Sequence, residues 1–420
     1  MKLFISILFS IIVVLAYQTP VGDHGKLKVS GIQLINEHGK PIQLRGMSTH
    51  GIQWFPQCYS NESFSSLVND WKVNIIRIAM YIAEGGYNTN PEDYKTKIST
   101  MVDWCEQNGI YCLIDFHGLN PGNPIDATYQ CSSDFLDYFS KKYSSKKHVL
   151  YEIFNEPNGC TWSDIATYAN KIIPIIRKND PDTVIIVGTP EWSSRVDLVI
   201  PLNYSNVLYS LHFYASSHTF YDRVKEHAGR IPIFSTEWGT CEYTGSGTTS
   251  LDKTKTWLDI LYGNNNGKQL ISWINWSFCD KAESCAALLS NSCSSKLWNK
   301  VSTSGGYLKE LLKNYQELDS NSTTNASNST GNSSNTTSNS SSNSTQPPSN
   351  TTANSTNTTT NSTTNGSSTT SNTSSNATAN TTSPNATANS TTNTSLNCSF
   401  YNNTKFIGQM TYFQPSGGKY

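Results

Sequence analysis

Two textures alternate along the chain between residues 17 and 319. Short runs of apolar and β-branched residues recur at Ile42–Met47, Asn74–Met80, Tyr111–Phe116, Val149–Asn155, Thr183–Gly188, Val207–Phe213, Ile231–Thr236 and Leu270–Trp276. They are continuous rather than alternating, as expected of strands covered on both faces. The stretches between them carry helical spacing. Over Tyr94–Asn108, the residues Ile98, Met101, Val102 and Cys105 fall on one face, and Gly109 supplies a C-terminal stop. Trp162–Lys178 is a second helix, with Thr161 placed as its N-cap. Eight strands alternating with helices over residues 17–319 fit a (β/α)8 TIM barrel of the α/β class. A doubly wound open sheet is the alternative on this pattern. Lys26–Ile35 reads as a small lid strand or hairpin at the barrel's bottom, and Trp71 and Trp104 lie in helical stretches as core residues.

The two ends of the chain have other patterns. Lys2, the apolar run Leu3–Leu15 and Ala16 describe a secretory signal peptide over residues 1–16. That run is shorter than the roughly 20 residues needed to span a bilayer, so the mature chain is expected outside the cell and off the membrane. From Ser320 to Asn397, 65 of 78 residues are Asn, Ser or Thr, and none is charged or aromatic. Such a tract cannot bury enough apolar surface to offset chain entropy. Residues 320–397 are therefore expected to be a disordered linker, and sequons such as Asn321-Ser322-Thr323 mark it for glycosylation. Aromatic residues return at Cys398. Residues 398–420 are too few to fold alone and read as a fragment of a possible cell-wall- or carbohydrate-binding module. The motif "GQMTYFQPSGGKY" resembles the opening of expansin- or barwin-like modules, with the first strand of a carbohydrate-binding module as an equal alternative.

Composition sharpens this division. The whole chain has 30 Lys+Arg against 31 Asp+Glu, a net charge of −1. That excludes the basic surplus of a nucleic-acid partner and gives no attraction to an anionic membrane. Of the 61 charged residues, 58 fall in residues 17–319, so the tract dilutes an ordinary globular domain. Nine of the ten Cys lie in that block; nine is odd, so at least one is free or pairs outside it. Secretion makes disulfides plausible. No zinc-type CxxC spacing occurs, so no structural metal is expected. Connectivity stays open.

In a (β/α)8 barrel the chemistry gathers at the C-terminal ends of the strands. Those positions hold Arg77 and Tyr81, Asp115 and His117, Asn155 and Glu156, Trp192, His212 and Tyr214, Glu237, and Asn275 and Trp276. Acids, histidines, an arginine and tryptophans converging on one rim are not core packing. Glu156 and Glu237, on strands 4 and 7, are the pair glycoside hydrolysis needs: one protonates the leaving oxygen while the other attacks the anomeric carbon.

The motifs "LRGMSTHGIQW", "NIIRIAMY", "LIDFHG", "YEIFNEPNG", "LHFYA", "FSTEWGT" and "SWINWSF" resemble glycoside hydrolase family 5, and most closely its subfamily 2 endo-β-1,4-glucanases, from Gly25 to Lys313. The resemblance implies a retaining mechanism, with Glu156 as general acid/base and Glu237 as nucleophile. Arg77 and Tyr214 would hydrogen-bond Glu237, and Asn155 the sugar 2-OH. His117 and His212 would orient substrate and the acid/base. The Glu156 pKa is expected to be raised, partly by the neighbouring charge of Glu237. Trp276 would floor the −1 sugar, while His50, Trp54, Tyr81, Trp192 and Lys281 would line neighbouring subsites. The expected partner is a polysaccharide, cellulose or another β-glucan, bound by a monomer without metal or organic cofactor. Mannan, xylan or xyloglucan is the rival substrate, and a non-catalytic cell-wall-binding glycoprotein is the rival class. The chain departs from the family in its cysteines and in insertions around Gly245–Thr249 and Asn264–Gly267, expected to alter loops near strands 7 and 8.

Overall fold

The structure, a computed structural model, describes residues 18–264 and 269–314. The expected signal peptide (1–16), linker (320–397) and module fragment (398–420) lie outside the described residues, as does most of the insertion at Asn264–Gly267. No helix among the described residues is long and apolar enough to cross a membrane.

Eight strands close into one barrel. They are β1 (Arg45–Thr49), β2 (Ile75–Tyr81), β3 (Tyr111–His117), β4 (Val149–Glu152), β5 (Ile185–Val187), β6 (Val207–Tyr214), β7 (Ile233–Gly239) and β8 (Ser272–Phe278). All neighbours are parallel, and β8 pairs with β1 to complete the ring. The main helices are α1 (Asn61–Asn69), α2 (Pro91–Gln107), α3 (Ser132–Lys142), α4 (Trp162–Asn179), α5 (Tyr221–His227) and α6 (Leu251–Leu261), with a last one over residues 303–314. Helix α4 opens with Thr161 as the expected N-cap, and the structure completes it as a capping box: the Thr161 side chain accepts from the Asp164 amide while the Asp164 carboxylate accepts from the Thr161 amide. Gly109 follows α2 at φ +66°, a conformation that costs glycine little.

Strand alternation sorts the interior into levels. Ile75, Tyr111, Leu113, Leu150, Ile186, Leu208, Phe234 and Ile274 form an apolar plug at the lower end. The antiparallel hairpin Lys28–Ser30/Gln33–Ile35 lies beneath and adds Leu27 and Leu34 to that plug, as the sequence predicts. One step up the same strands stand Arg77, Asp115, Glu152 and Ser210, all fully buried and all polar. At the upper rim Ala79, Tyr81, Tyr214 and Trp276 form a small separate apolar cluster. Residues between these, such as Ile76, Ile78, Cys112 and Ile114, face outward into the layer of helices.

Several boundaries differ from the sequence pattern. Strand β1 begins at Arg45 rather than Ile42: the amide of Leu44 bonds the Ser272 hydroxyl, and Ile42 and Leu44 serve the lower plug. No full helix follows β5; one turn at Pro190–Ser193 and a 3-10 turn at Val196–Leu198 replace it. Trp71 is buried, but it sits in the turn beyond α1. Trp104 is on α2 and only half-buried, edge-on to Phe64 of α1. Asn264 itself comes just after α6, at the end of the barrel opposite the rim. Among the described residues two disulfides are present, Cys58–Cys293 and Cys241–Cys285. The first joins the loop after β1 to the segment after β8, and the second joins the segments after β7 and β8.

Candidate active site

The polar level is organised around Arg77. Its guanidinium is completely buried and bonds Glu152 Oε2 at 2.7 Å, Asp115 Oδ2 at 2.9 Å and Glu237 Oε2 at 3.1 Å. A fourth N–H contact reaches Asn155 Oδ1 at 2.5 Å. A planar, permanently charged fork suits this work, since each carboxylate needs a donor in a different direction. The second oxygen of Glu237, Oε1, accepts from the Tyr214 hydroxyl at 2.7 Å. Both donors expected for Glu237 are therefore in place.

Glu156 stands just beyond β4, facing Glu237. A carboxylate oxygen of each and a ring nitrogen of His212 all lie within 4.8 Å of one another. Retaining pairs are spaced by about 5–5.5 Å and inverting pairs by about 6.5–9.5 Å, and the near approach of these two acids lies on the short side of that division. The two acids sit in unlike surroundings. Glu237 has two direct donors, whereas Glu156 has no cationic partner in contact. Burial pushes the Glu156 pKa up to about 8, opposed by Arg77 and reinforced by Glu152 and Asp115. The like-charge contribution thus comes from these two acids below, where the sequence pointed to Glu237.

Each histidine is neutral and has a definite partner set. His117 lies well below the ordinary imidazole range, through burial and the nearby Arg77. Its Nδ1 meets Asp115 Oδ2 at 2.6 Å, an oxygen that also accepts from Arg77, so Nδ1 carries the proton. Its Nε2 therefore accepts from Asn155 Nδ2 at 3.1 Å. This fixes Asn155 between Arg77 and His117 and leaves one amide N–H for a ligand. Burial likewise lowers His212, to about 4. Its Nδ1 is 2.9 Å from Glu156 Oε1 and its Nε2 is 2.9 Å from the Thr236 hydroxyl.

Aromatic rings line the rim beside the acids. Trp276 contacts His50 and His117, with ring centroids at 4.8 and 5.7 Å. Tyr81 packs on His117 at 4.0 Å, and Trp54 on Tyr81 at 4.7 Å. Lys281 reaches His50 Nε2 at 3.4 Å and pairs with Glu283 at 2.6 Å. Trp54 remains 44% exposed, as a stacking surface must. Trp192 is 54% exposed and makes none of these ring contacts; its amide bonds the Pro157 carbonyl, so it stands at the rim next to the acid/base segment. Of the predicted site residues, Trp192 alone lies outside the connected cluster.

Sequence reasoning missed Glu152, Thr236, Ser210 and Glu283. The signal for Glu152 was available: a carboxylate inside the apolar run Val149–Asn155 has no bland place to go. Thr236 was harder to find. Strand pairing has Ser210 opposite Phe234 but His212 opposite Glu237, a bulge that inserts an extra residue into β7. Consecutive residues Thr236 and Glu237 both face the interior as a result.

A parallel barrel with two facing carboxylates at the ends of β4 and β7, one of them held by an arginine, is the architecture of a carbohydrate-cleaving hydrolase. The sequence profile described as cellulase (glycosyl hydrolase family 5) matches residues 35–282, and the chain belongs to that family. It is 41% identical over 288 residues to Endoglucanase E-5 of Thermobifida fusca, covering 66% of this chain and 60% of that protein. It is 44% identical over 295 residues to an endoglucanase of Clostridium saccharobutylicum, covering 68% and 64%. The match thus spans under two thirds of these curated relatives' length. Among solved structures, Cellulase Cel5C_n superposes with a TM-score of 0.68 at 48% identity, covering 70% of this chain and 94% of that one. The catalytic domain of Thermobifida fusca endoglucanase Cel5A, in complex with cellotetraose, gives 0.67 at 39% identity, covering 70% and 99%.

Proposed function

We propose that the chain is a secreted, retaining endo-β-1,4-glucanase that cuts internal bonds of cellulose or soluble β-glucan. The observation that carries this reading is the pair Glu156 and Glu237, within 4.8 Å of each other and in opposite electrostatic settings. Glu237, aimed by Arg77 and Tyr214, attacks the anomeric carbon. Glu156, holding its proton up to about pH 8, delivers it to the departing glycosidic oxygen. The product of this step is a glycosyl ester of Glu237. Water then attacks that ester, Glu156 takes the water's proton, and the sugar leaves with its original β configuration. The free N–H of Asn155 is directed to the sugar 2-OH, and Trp276 offers an indole face to the −1 ring. Trp54, Tyr81, His50 and Lys281 extend the groove on one side and Trp192 on the other.

The substrate follows from the relatives, which are endoglucanases, and from the uncharged character of the groove's aromatic surfaces. Export follows from the pattern of residues 1–16. Assaying the purified protein on carboxymethylcellulose, mannan, xylan and xyloglucan decides the substrate: rapid mannan cleavage with no action on carboxymethylcellulose overturns the glucan assignment. Proton NMR of the first product decides the stereochemistry, and an initial α-anomer contradicts retention. If Glu237→Ala hydrolyses at the wild-type rate, the assigned nucleophile is wrong.

A further inference from the structure

Glu156 and Glu152 are two carboxyl groups joined through His212 and Thr236. The Thr236 hydroxyl lies 2.6 Å from Glu152 Oε1 and 2.9 Å from His212 Nε2, and it also meets the Ser210 hydroxyl. His212 Nδ1 then reaches Glu156 at 2.9 Å. One proton can sit at either end of this chain, and every hydrogen bond along it reverses with that choice. We propose that Thr236, anchored by Glu152, is a positioning residue that locks His212 as its Nε2–H tautomer and so keeps the acid/base proton on Glu156. The inference rests on the acid/base reading of Glu156 given above.

Arg77 decides which end holds the proton. Its Nε–H bonds Glu152 Oε2 at 2.7 Å, whereas it makes no hydrogen bond to Glu156. The guanidinium cannot give up its own proton, so Glu152 is the end held as an anion. An anionic Glu152 can only accept, which obliges Thr236 to donate to it. The hydroxyl has a single proton, so its oxygen must accept from His212 Nε2–H. A neutral imidazole with Nε2 protonated presents a bare lone pair at Nδ1. That lone pair is an acceptor for a carboxylic acid and repels a carboxylate, so it favours the protonated form of Glu156.

The groups facing Glu156 from the packed elements fit this assignment. Arg77 on β2 pulls its proton off, while Asp115 on β3 and Glu152 on β4 hold it on. His212 on β6 touches it directly, and Glu237 on β7 lies across the cleft. Tyr81 and Tyr214 stay neutral, their hydroxyls raised well above the ordinary phenol range by burial and by the two catalytic acids.

Thr236→Val keeps the shape of the side chain and removes the hydroxyl; Thr236→Ser restores it. Without the hydroxyl, His212 can turn an Nδ1–H toward Glu156 and stabilise its anion. The expected result for Thr236→Val is a loss of about tenfold or more in kcat/KM on cellotetraose, whose leaving alcohol needs a proton. The basic limb of the pH profile should move to lower pH. Dinitrophenyl cellobioside, whose leaving group departs without one, should be hydrolysed within about threefold of the wild-type rate, which also shows that the variant folds. Thr236→Ser should regain most of the loss. Equal losses on both substrates with an unmoved basic limb overturn the proposal. Nitrogen NMR of labelled histidine in the wild-type protein tests it without a substitution: His212 must carry its proton on Nε2, and an Nδ1–H tautomer at pH 6 refutes it. Glu156→Ala, measured in parallel, separates the two readings. If its kcat/KM falls on cellotetraose but not on dinitrophenyl cellobioside while Thr236→Val loses none on either, this inference alone fails. If Glu156→Ala keeps full activity on cellotetraose, the acid/base assignment fails.

Discussion

Tyr214→Phe removes one hydroxyl and almost no volume. That hydroxyl donates to Glu237 Oε1 at 2.7 Å in a site where the tyrosine is 8% exposed. A buried hydrogen bond to a charged acceptor contributes about 1.5–3 kcal/mol. The two half-reactions use it differently. In the first, Glu237 loses its charge to the sugar, so a donor that favours the anion does not lower that barrier. In the second, charge returns to Glu237 as the ester breaks, and the donor stabilises the transition state. With each 1.36 kcal/mol giving a factor of ten, breakdown of the ester should slow by about 10- to 150-fold. The glycosyl-enzyme then accumulates. The expected signature on dinitrophenyl cellobioside is a burst of released phenol, followed by a steady state in which kcat and KM have fallen together and kcat/KM is little changed. A fall in kcat/KM with no burst and an unchanged KM refutes this division of labour.

Four further outcomes are expected. Activity should fall on the alkaline side as pH rises through about 8, where Glu156 gives up its proton. Because burial raises that group above its ordinary value, its contribution to stability is complete near pH 4.5 and is lost towards pH 8. Glu156→Gln should therefore raise the melting temperature relative to wild type more at pH 8 than at pH 5, as calorimetry can check; an equal change at both contradicts the burial argument. Replacing both Cys58 and Cys293 by Ser opens a link between residues 235 apart, at a cost of about 2–5 kcal/mol, or a fall of roughly 4–12 °C in Tm. Thr161→Ala removes the cap of α4 and should lower stability by about 1 kcal/mol in urea titrations, with kcat untouched.

The barrel was legible because its strands are buried on both faces and read as unbroken apolar runs, and because reading only their upper ends collects the chemistry. That reading picks out Glu156, Glu237, Arg77, His117, His212, Tyr214 and Trp276, which the fold brings together. The rest was hidden for identifiable reasons. Strict alternation sends Thr236 and Glu237 to opposite faces, and only the bulge against Ser210 and His212 turns both inward. Glu152 is four residues before Glu156 in an otherwise apolar run, where a reading directed at the rim passes over it. Trp71 lies just past a helix that ends at Asn69, where the chain turns through Lys72 at φ +67°, a turn the apolar spacing does not signal. The Cys58–Cys293 bridge joins loops that adjoin in space only because β1 closes against β8, and Cys241–Cys285 joins those after the paired strands β7 and β8, so spacing along the chain carried no trace of either.

Where those bridges lie also governs how the domain bears load. A barrel has one seam, the junction of its first and last strands, and a pull applied at residue 314 enters from the β8 side of it. Such a pull peels the helix at 303–314 first and then meets Cys293, which is bolted to Cys58 beyond β1. Force passes across the seam at that bolt. Strand β8, Trp276, Lys281 and Glu283 lie on the sheltered side of it, and Cys241–Cys285 anchors the same stretch to the end of β7. The half of the cleft assembled from β8 thus keeps its shape while the chain beyond it is dragged.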